Sequence, residues 1–404
     1  MPAKHILFVT QMLPYPLDSG AKVRAYYMLR HLAERHRVTL CSLAREADAE
    51  SAVAHVEQFC ERVLLHVIRR SAWADLRSLL VSLLTGRSAL IVRDHRPCFR
   101  KLILALLGER RFDAVHVDQI KAAQHVQGIR GVPCLIDMHN VYYEVIEGLA
   151  RLATSPLRRW LLRREARVMA CYENAVCHRF DEILAVTEPN AQRLREMIGQ
   201  RRPVTTIPIC VDPSETPFSP SAGTSRDLLC AGAMFYPPNV DGVLWFIREI
   251  LPHIRREVPD ARLRLVGPRP DRAILRAAAG EDHILVTGYA NDMSQAYAAC
   301  AAAIVPLRAG SGMRVKILDA MARGLPVIST RLGAEGIHVS NDENILLADD
   351  PKQFAQAAVR LLRDAGLRAR IAQNARQLIE SEYDWRRRYV EVDAVYQRLF
   401  SRGG

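Results

Sequence analysis

Twice along this chain, short β-branched apolar runs alternate with segments of helical periodicity, and a stretch rich in Pro, Ser, Thr and Asp, residues 211–226, divides the two series. A β-branched run bounded by turn residues and followed by a helix is a βα unit, and successive βα units build a parallel sheet. The first series places strands at residues 5–10, 38–43, 63–67, 114–117, 134–138 and 182–186. The second places them at 228–231, 262–266, 284–287, 302–305, 327–329 and 345–347. At 404 residues with 49% hydrophobic content, the chain is too long for one ordinary core and apolar enough for two. The expected class is therefore α/β, with two doubly wound, Rossmann-like domains. Open sheets of this kind bind ligands at the carboxyl ends of their strands, so two facing halves place a site in the cleft between them.

Within the second series, residues 308–336 read R-A-G-S-G-M-R-V-K-I-L-D-A-M-A-R-G-L-P-V-I-S-T-R-L-G-A-E-G. The layout is strand end, small-residue loop, helix and new strand, with Arg314 and Lys316 near the helix start. Cations at a helix N-terminus have the wrong sign by about 0.3 to 1 kcal/mol each unless an anion binds between them. The anion expected here is a phosphate.

Composition narrows the partners. Residues 1–202 hold 31 Lys and Arg against 21 Asp and Glu, a net +10, and the remainder holds 25 against 23. Such asymmetry suits an anionic membrane leaflet or nucleic acid. Nucleic acid is the weaker choice, because aromatic content is 6% and no nucleic-acid-binding motif is present. Five arginines (Arg158, Arg159, Arg163, Arg164 and Arg167) crowd a helical stretch over residues 151–176, which reads as a solvated face with salt bridges or as an electrostatic membrane patch. The most apolar region, residues 79–92, is cut by Gly86 and Arg87 and falls short of a span, which needs about 20 residues. The apolar run at residues 6–9 has strand length, so no secretory leader is expected. Nine unpaired-looking cysteines, with no C-x-x-C or zinc-ligand spacing, predict buried thiols, a reducing cytoplasmic setting and no metal site.

An ordered set of short motifs then carries a resemblance. The set begins with Pro14, Pro16 and Gly20 before a helix with Arg24, then D-x-H-N at residues 137–140, A-V-T-E at 185–188 and I-P-x-x-V-D at 207–212. G-A-M-x-Y-x-P-N-x-D at 232–241, Val266-Gly267 and the 308–336 segment follow. In order and spacing the chain resembles the GT-B fold glycosyltransferases, specifically the retaining family 4 (group 1) enzymes of polysaccharide and cell-envelope biosynthesis. The resemblance implies an acceptor-binding domain at 1–205, a linker at 206–226, a nucleotide-sugar-binding domain at 227–382, and a C-terminal helix, 383–404, crossing back to the first domain. Aromatic residues at helical spacing in that last stretch read as packing.

For single residues the resemblance has these implications. The family's E-x7-E signature falls on Ser311 and Asp319, the first facing the donor sugar and the second the nucleotide ribose. Asp319 retains a charged acceptor for a ribose diol, whereas Ser311 lacks the carboxylate. The surface alternative for Asp319 is an i, i+3 ion pair with Lys316. The usual phosphate-binding Arg after the first strand of the second domain is replaced by Gly232-Ala233, within the motif that also supplies Asn239. Arg314 and Lys316 take over its charge beside the backbone N–H groups of Gly312 and Met313. His139, at a strand end, positions the donor sugar; Gly20 lets backbone approach the diphosphate or acceptor; Glu335 faces a sugar hydroxyl, the phosphates or only its own turn. Gly288, Tyr289 and Ala290 read the nucleobase through backbone.

The implied reaction is metal-independent, retaining glycosyl transfer from a nucleotide diphosphate sugar, the co-substrate in place of any cofactor. The acceptor is a saccharide or lipid-linked molecule, and the expected place is the cytoplasm or the inner face of the membrane. Two alternatives stay open: a non-catalytic nucleotide-sugar-binding subunit, and a nucleotide-sugar epimerase of the same fold. A dehydrogenase is disfavoured, since the first strand runs into P-Y-P-L-D-S-G where G-x-G-x-x-G is required.

Overall fold

The computed structural model describes residues 2–45, 50–68, 71–220, 225–289 and 293–402; Ala290 and residues 221–224 of the expected linker lie outside them. The chain divides into two compact units, Met1–Ile209 with Arg388–Gly404, and Cys210–Arg387.

The first unit is built on seven strands: β1 (His5–Thr10), β2 (Arg37–Arg45), β3 (Arg62–Ile68), β4 (Ala114–Asp118), β5 (Cys134–Met138), β6 (Glu182–Ala185) and β7 (Val204–Thr206). All pair in parallel, in the order β3-β2-β1-β4-β5-β6-β7. The second unit carries β8 (Asp227–Ala231), β9 (Arg262–Val266), β10 (Ile284–Gly288), β11 (Ala302–Val305), β12 (Val327–Ser329) and β13 (Leu346–Leu347). Its parallel order is β10-β9-β8-β11-β12-β13. Both sheets therefore reverse direction at one point, between β1 and β4 and between β8 and β11, which is where open α/β sheets open a crevice. Buried on both faces, the central strands need near-continuous apolar sequence, as in Ile6, Leu7, Phe8 and Val9, all fully buried.

The helices of the two units include α1 (Gly20–Ala33), α2 (Ala72–Thr85), α3 (Pro156–Cys177), α4 (Pro237–Trp245), α5 (Val315–Ala322) and α6 (Val390–Ser401). Local sequence accounts for their limits. Ser71 Oγ accepts from Ala74 N at the start of α2, and Gly86, at φ +68°, ends it. Ser155 caps α3, with Pro156 in its first turn.

Three details refine the sequence reading. The stretch read as a linker packs tightly where it is described: Ile207, Ile209 and Cys210 are buried, and Arg376 donates to the carbonyls of Pro213 and Thr216 at 2.8 Å each. Asp212, buried, accepts from Arg386 at 2.7 Å and from Trp385 Nε1 at 3.0 Å. Its polar composition serves these distant arginines, which composition alone cannot reveal. The C-terminal stretch is two helices, Trp385–Arg388 and α6, with Trp385 packed in the second unit and Tyr389 and Tyr396 buried in the first. Finally, two of the nine cysteines, Cys98 and Cys171, are exposed. Among the described residues no helix is long and apolar enough to cross a membrane.

Candidate active site

In the second unit three strand ends step past one another through glycines. Gly232, after β8, donates its N–H to Val266 O at 2.9 Å, and Gly267, after β9, donates to Gly288 O at 2.7 Å. A Cβ on Gly267 would sit 1.7 Å from Gly232 O, so only glycine lets the two loops pass. At Gly232, φ is +140° and a Cβ would meet Lys316 Nζ at 2.8 Å and Asn239 Nδ2 at 3.2 Å. The missing side chain is the space that Lys316 and Asn239 use.

Lys316, in the first turn of α5, donates to Asn239 Oδ1 at 3.1 Å, and Asn239 Nδ2 donates to Ala233 O at 2.9 Å. Among the described residues no carboxylate lies within ion-pair distance of Lys316. Arg314 stands at the N-cap of α5 without capping it; its guanidinium donates to the carbonyls of Ser311 (2.8 Å) and Gly312. Gly310 makes room for that guanidinium, because a Cβ there would lie 2.6 Å from it. Burial lowers the proton affinity of both half-buried cations; Glu335 counteracts this at Arg314, while at Lys316 the Cys230 thiol counteracts it and Arg314 adds to it. No acidic residue occupies the first turn of α5. Two desolvated cations and an uncapped helix N-terminus thus converge at the β8/β11 switch point, an arrangement that favours a bound anion.

Gly232, Asn239, Arg314, Lys316 and Glu335 are brought together, with the loop residues Ser311, Gly312 and Met313 beside them. Ser311 and Met313 are buried, and Gly312 takes φ +81°. Asp319, one turn along α5, does not pair with Lys316. It accepts from Arg323 Nε at 3.0 Å, and the buried Tyr297 hydroxyl bonds to it, which with burial raises the Tyr297 pKa. The i, i+4 partner won because Lys316 is turned to Asn239. Gly288 ends β10 at φ +70°, and Tyr289 beyond it is exposed. Sequence reasoning missed Arg308, which grips Asp241 of α4 at 2.8 and 3.0 Å, and Arg269, whose guanidinium lies 3.8 Å from the centre of the Phe235 ring. Asp241 and Phe235 both lie in the 232–241 motif, which was the available signal.

The first unit places Gly20 at the start of α1 and His139 directly after β5. Register puts Thr10 opposite Asp118 and Asp118 opposite Asp137 across the ends of β1, β4 and β5. Thr10 Oγ1 donates to Asp118 Oδ2 at 2.8 Å, and His139 Nε2 is 2.9 Å from Asp118 Oδ1. Arg24, fully buried on α1, donates to Asp137 Oδ2 (2.8 Å), Pro208 O (2.8 Å) and Tyr389 Oη (3.0 Å). Burial would raise the Asp137 carboxyl, but Arg24 and the histidines hold it below the ordinary carboxylate range. Burial pushes His116, bonded through Nδ1 to Tyr396 Oη at 2.8 Å, down to about 4. His116, Asp118 and Asp137 offer ligand atoms within 4.8 Å of one another, yet Arg24 already supplies Asp137 with its cation. Asp118 and Thr10 were not singled out from the sequence; their place at strand ends was the signal.

Residues 19–215 match the model of Glycosyltransferase Family 4, and residues 225–364 match that of Glycosyl transferases group 1. The chain belongs to the GT-B glycosyltransferases. It is similar along its length to an uncharacterized 44.6 kDa protein in the cps region of Klebsiella pneumoniae, 23% identical over 96% of this chain and 98% of that one. A UDP-Gal:alpha-D-GlcNAc-diphosphoundecaprenol alpha-1,3-galactosyltransferase of Escherichia coli is 22% identical over 77% of this chain and 81% of its own. Among solved structures, Anabaena HepE in complex with UDP-glucose superposes with a TM-score of 0.70 at 15% identity, over 98% of this chain and all of that one. That likeness shows the fold: two α/β units with parallel sheets, as in other GT-B glycosyltransferases.

Proposed function

We propose that this glycosyltransferase moves a sugar, with retention of anomeric configuration, from a nucleoside diphosphate sugar to a hydroxyl of a saccharide or lipid-linked acceptor in exopolysaccharide or cell-envelope glycan assembly. The observation that carries the reading is the cationic pair Arg314 and Lys316 at the uncapped start of α5, in the space left by Gly232. A diphosphate leaving group accumulates charge as its bond to the sugar breaks. Fixed cations and backbone N–H groups stabilise that charge without reorganising, and two side-chain cations provide it without a metal.

In this reading the Ser311–Met313 loop and Arg314 hold the diphosphate, and Lys316, oriented by Asn239, neutralises it. Asp319 accepts from the ribose hydroxyls, with Arg323 and Tyr297 fixing its carboxylate. Gly288 and Tyr289 flank the base. Glu335 addresses the sugar in the second unit, and His139 and Gly20 are substrate contacts of the first unit. The UDP-glucose carried by a structural neighbour and the lipid-linked substrate in a relative's name support this donor and acceptor class.

The test is direct. Purified protein is titrated with nucleoside diphosphates and their sugars by calorimetry, then assayed for transfer to lipid-diphosphate acceptors. Saturable diphosphate binding that weakens strongly in Arg314→Ala, with transfer, supports the reading. Full activity in Arg314→Ala removes the phosphate role, and donor conversion without an acceptor points to epimerisation.

A further inference from the structure

Helix α2 is inside out. Amphipathic helices of globular proteins turn their apolar stripe inward. Here Trp73, Leu76, Leu80, Leu83 and Leu84, which share one face at helical spacing, are all exposed, Trp73 by 80% and Leu84 by 87%. The opposite face is serine. Ser78 and Ser82 are buried, with Ser78 Oγ donating to Ala74 O at 2.7 Å and Ser82 Oγ to Arg87 O at 2.6 Å. Arg164 of α3 locks this orientation by donating to Ser82 Oγ at 3.0 Å and to the Ser82 carbonyl. The helix therefore cannot roll its leucines inward without breaking a set of specific polar contacts. One and two turns before Arg164 on the same side of α3 stand Trp160, 58% exposed, and Leu157, also exposed. The four arginines Arg158, Arg159, Arg163 and Arg167 are exposed around them, Arg77 borders the apolar face on α2, and Arg87 is exposed just beyond the helix end.

We propose that α2 and the first turns of α3 form a docking surface for an anionic lipid bilayer, with the α2 leucines and the two tryptophans entering the interface and the arginines meeting the headgroups. Exposed Trp and Leu ringed by Arg is the composition of an interfacial helix. A second copy of the chain fits less well, because a two-fold contact through this face sets the arginine cluster against its own like charge. The acidic residue on exposed α2 is Asp75 alone, and it does not offset six arginines. This surface is separate from the proposed sugar-transfer chemistry, and its test reads partition, not turnover.

The experiment is flotation of the purified full chain with vesicles of phosphatidylcholine alone and of phosphatidylcholine mixed equally with phosphatidylglycerol, at low and high salt. The expected result is binding to the mixed vesicles that weakens with salt, and little to the neutral ones. Leu80→Glu/Leu84→Glu, at exposed positions, keeps the thermal transition and lowers partition by at least about tenfold. Arg158→Ala/Arg159→Ala removes part of the salt-dependent component. Absence of flotation with mixed vesicles at low salt overturns the proposal, as does equal flotation of the leucine variant. A wild-type dimer that the leucine variant converts to monomer, with vesicle binding unchanged, assigns the face to a second copy instead.

Discussion

At the β1/β4 switch point the buried cation Arg24 has Asp137 at 2.8 Å, whereas at the β8/β11 switch point the cation Lys316 has an amide oxygen, Asn239 Oδ1, at 3.1 Å. Two units with the same strand order have thus settled their strand-end electrostatics in opposite ways. In the first, Arg24 meets Asp137, and Asp118 meets His139 and the Thr10 hydroxyl, which fixes the positions of His139 and α1. In the second, positive charge is gathered and, among the described residues, no carboxylate pairs with Lys316. Paired charges hold the fold together; gathered like charges store affinity for an anion that neutralises them.

The contrast breaks most visibly at Arg24. Arg24→Met leaves Asp137 charged and buried, which costs about 3 to 5 kcal/mol in urea unfolding. A loss of less than about 1 kcal/mol there, within the range of a surface pair, would mean the first cluster is not the buried network it resembles. Arg314→Ala has the reverse profile. Turnover falls about a hundredfold, the scale of removing one preorganised donor to developing charge, while the unfolding midpoint hardly moves.

Acid sharpens the contrast further. His116 and His125 in the first unit are neutral when folded, with pKa values pushed by burial to about 4. Below the ordinary histidine value near 6.5 the unfolded chain binds protons that the folded chain does not. Stability is therefore complete above about pH 6.5 and falls as pH drops toward 4, by about 1.4 kcal/mol per pH unit for each histidine. Hydrogen exchange should show the first unit's core amides losing protection in this window, and His116→Gln should flatten its share of the slope. The smallest effect belongs to Lys316→Met. Removing a desolvated cation that lacks a carboxylate partner changes stability by less than about 1 kcal/mol, or raises it, while diphosphate affinity drops about tenfold by calorimetry. A clear destabilisation would show Lys316 to be structural.

Much of the fold is legible in the sequence. Strands at 5–10, 134–138, 262–266, 302–305 and 327–329 have the bounds that apolar runs and turn residues predict. The three-residue β7 was missed because so short a run carries no periodic signal. The site was readable in part: Arg314 and Lys316 at a helix start, and Gly232 after a strand, are local features. That a Cβ at Gly232 would touch Lys316 across 84 positions of sequence is not. Nor is the partner of Asp319, since Lys316 and Arg323 are both within reach along the helix and the choice falls to Asn239, on another element.

The sequence by itself determined the βα order, the two-unit division in outline and the basic excess of the first half, because periodicity, turn residues and charge are properties of neighbours along the chain. Tertiary structure decided which charges are neutralised and which are left open, and which way α2 faces. Those outcomes depend on distances between residues far apart in sequence: Arg24 to Asp137, Lys316 to Asn239, Arg164 to Ser82. Composition counts such groups but cannot pair them.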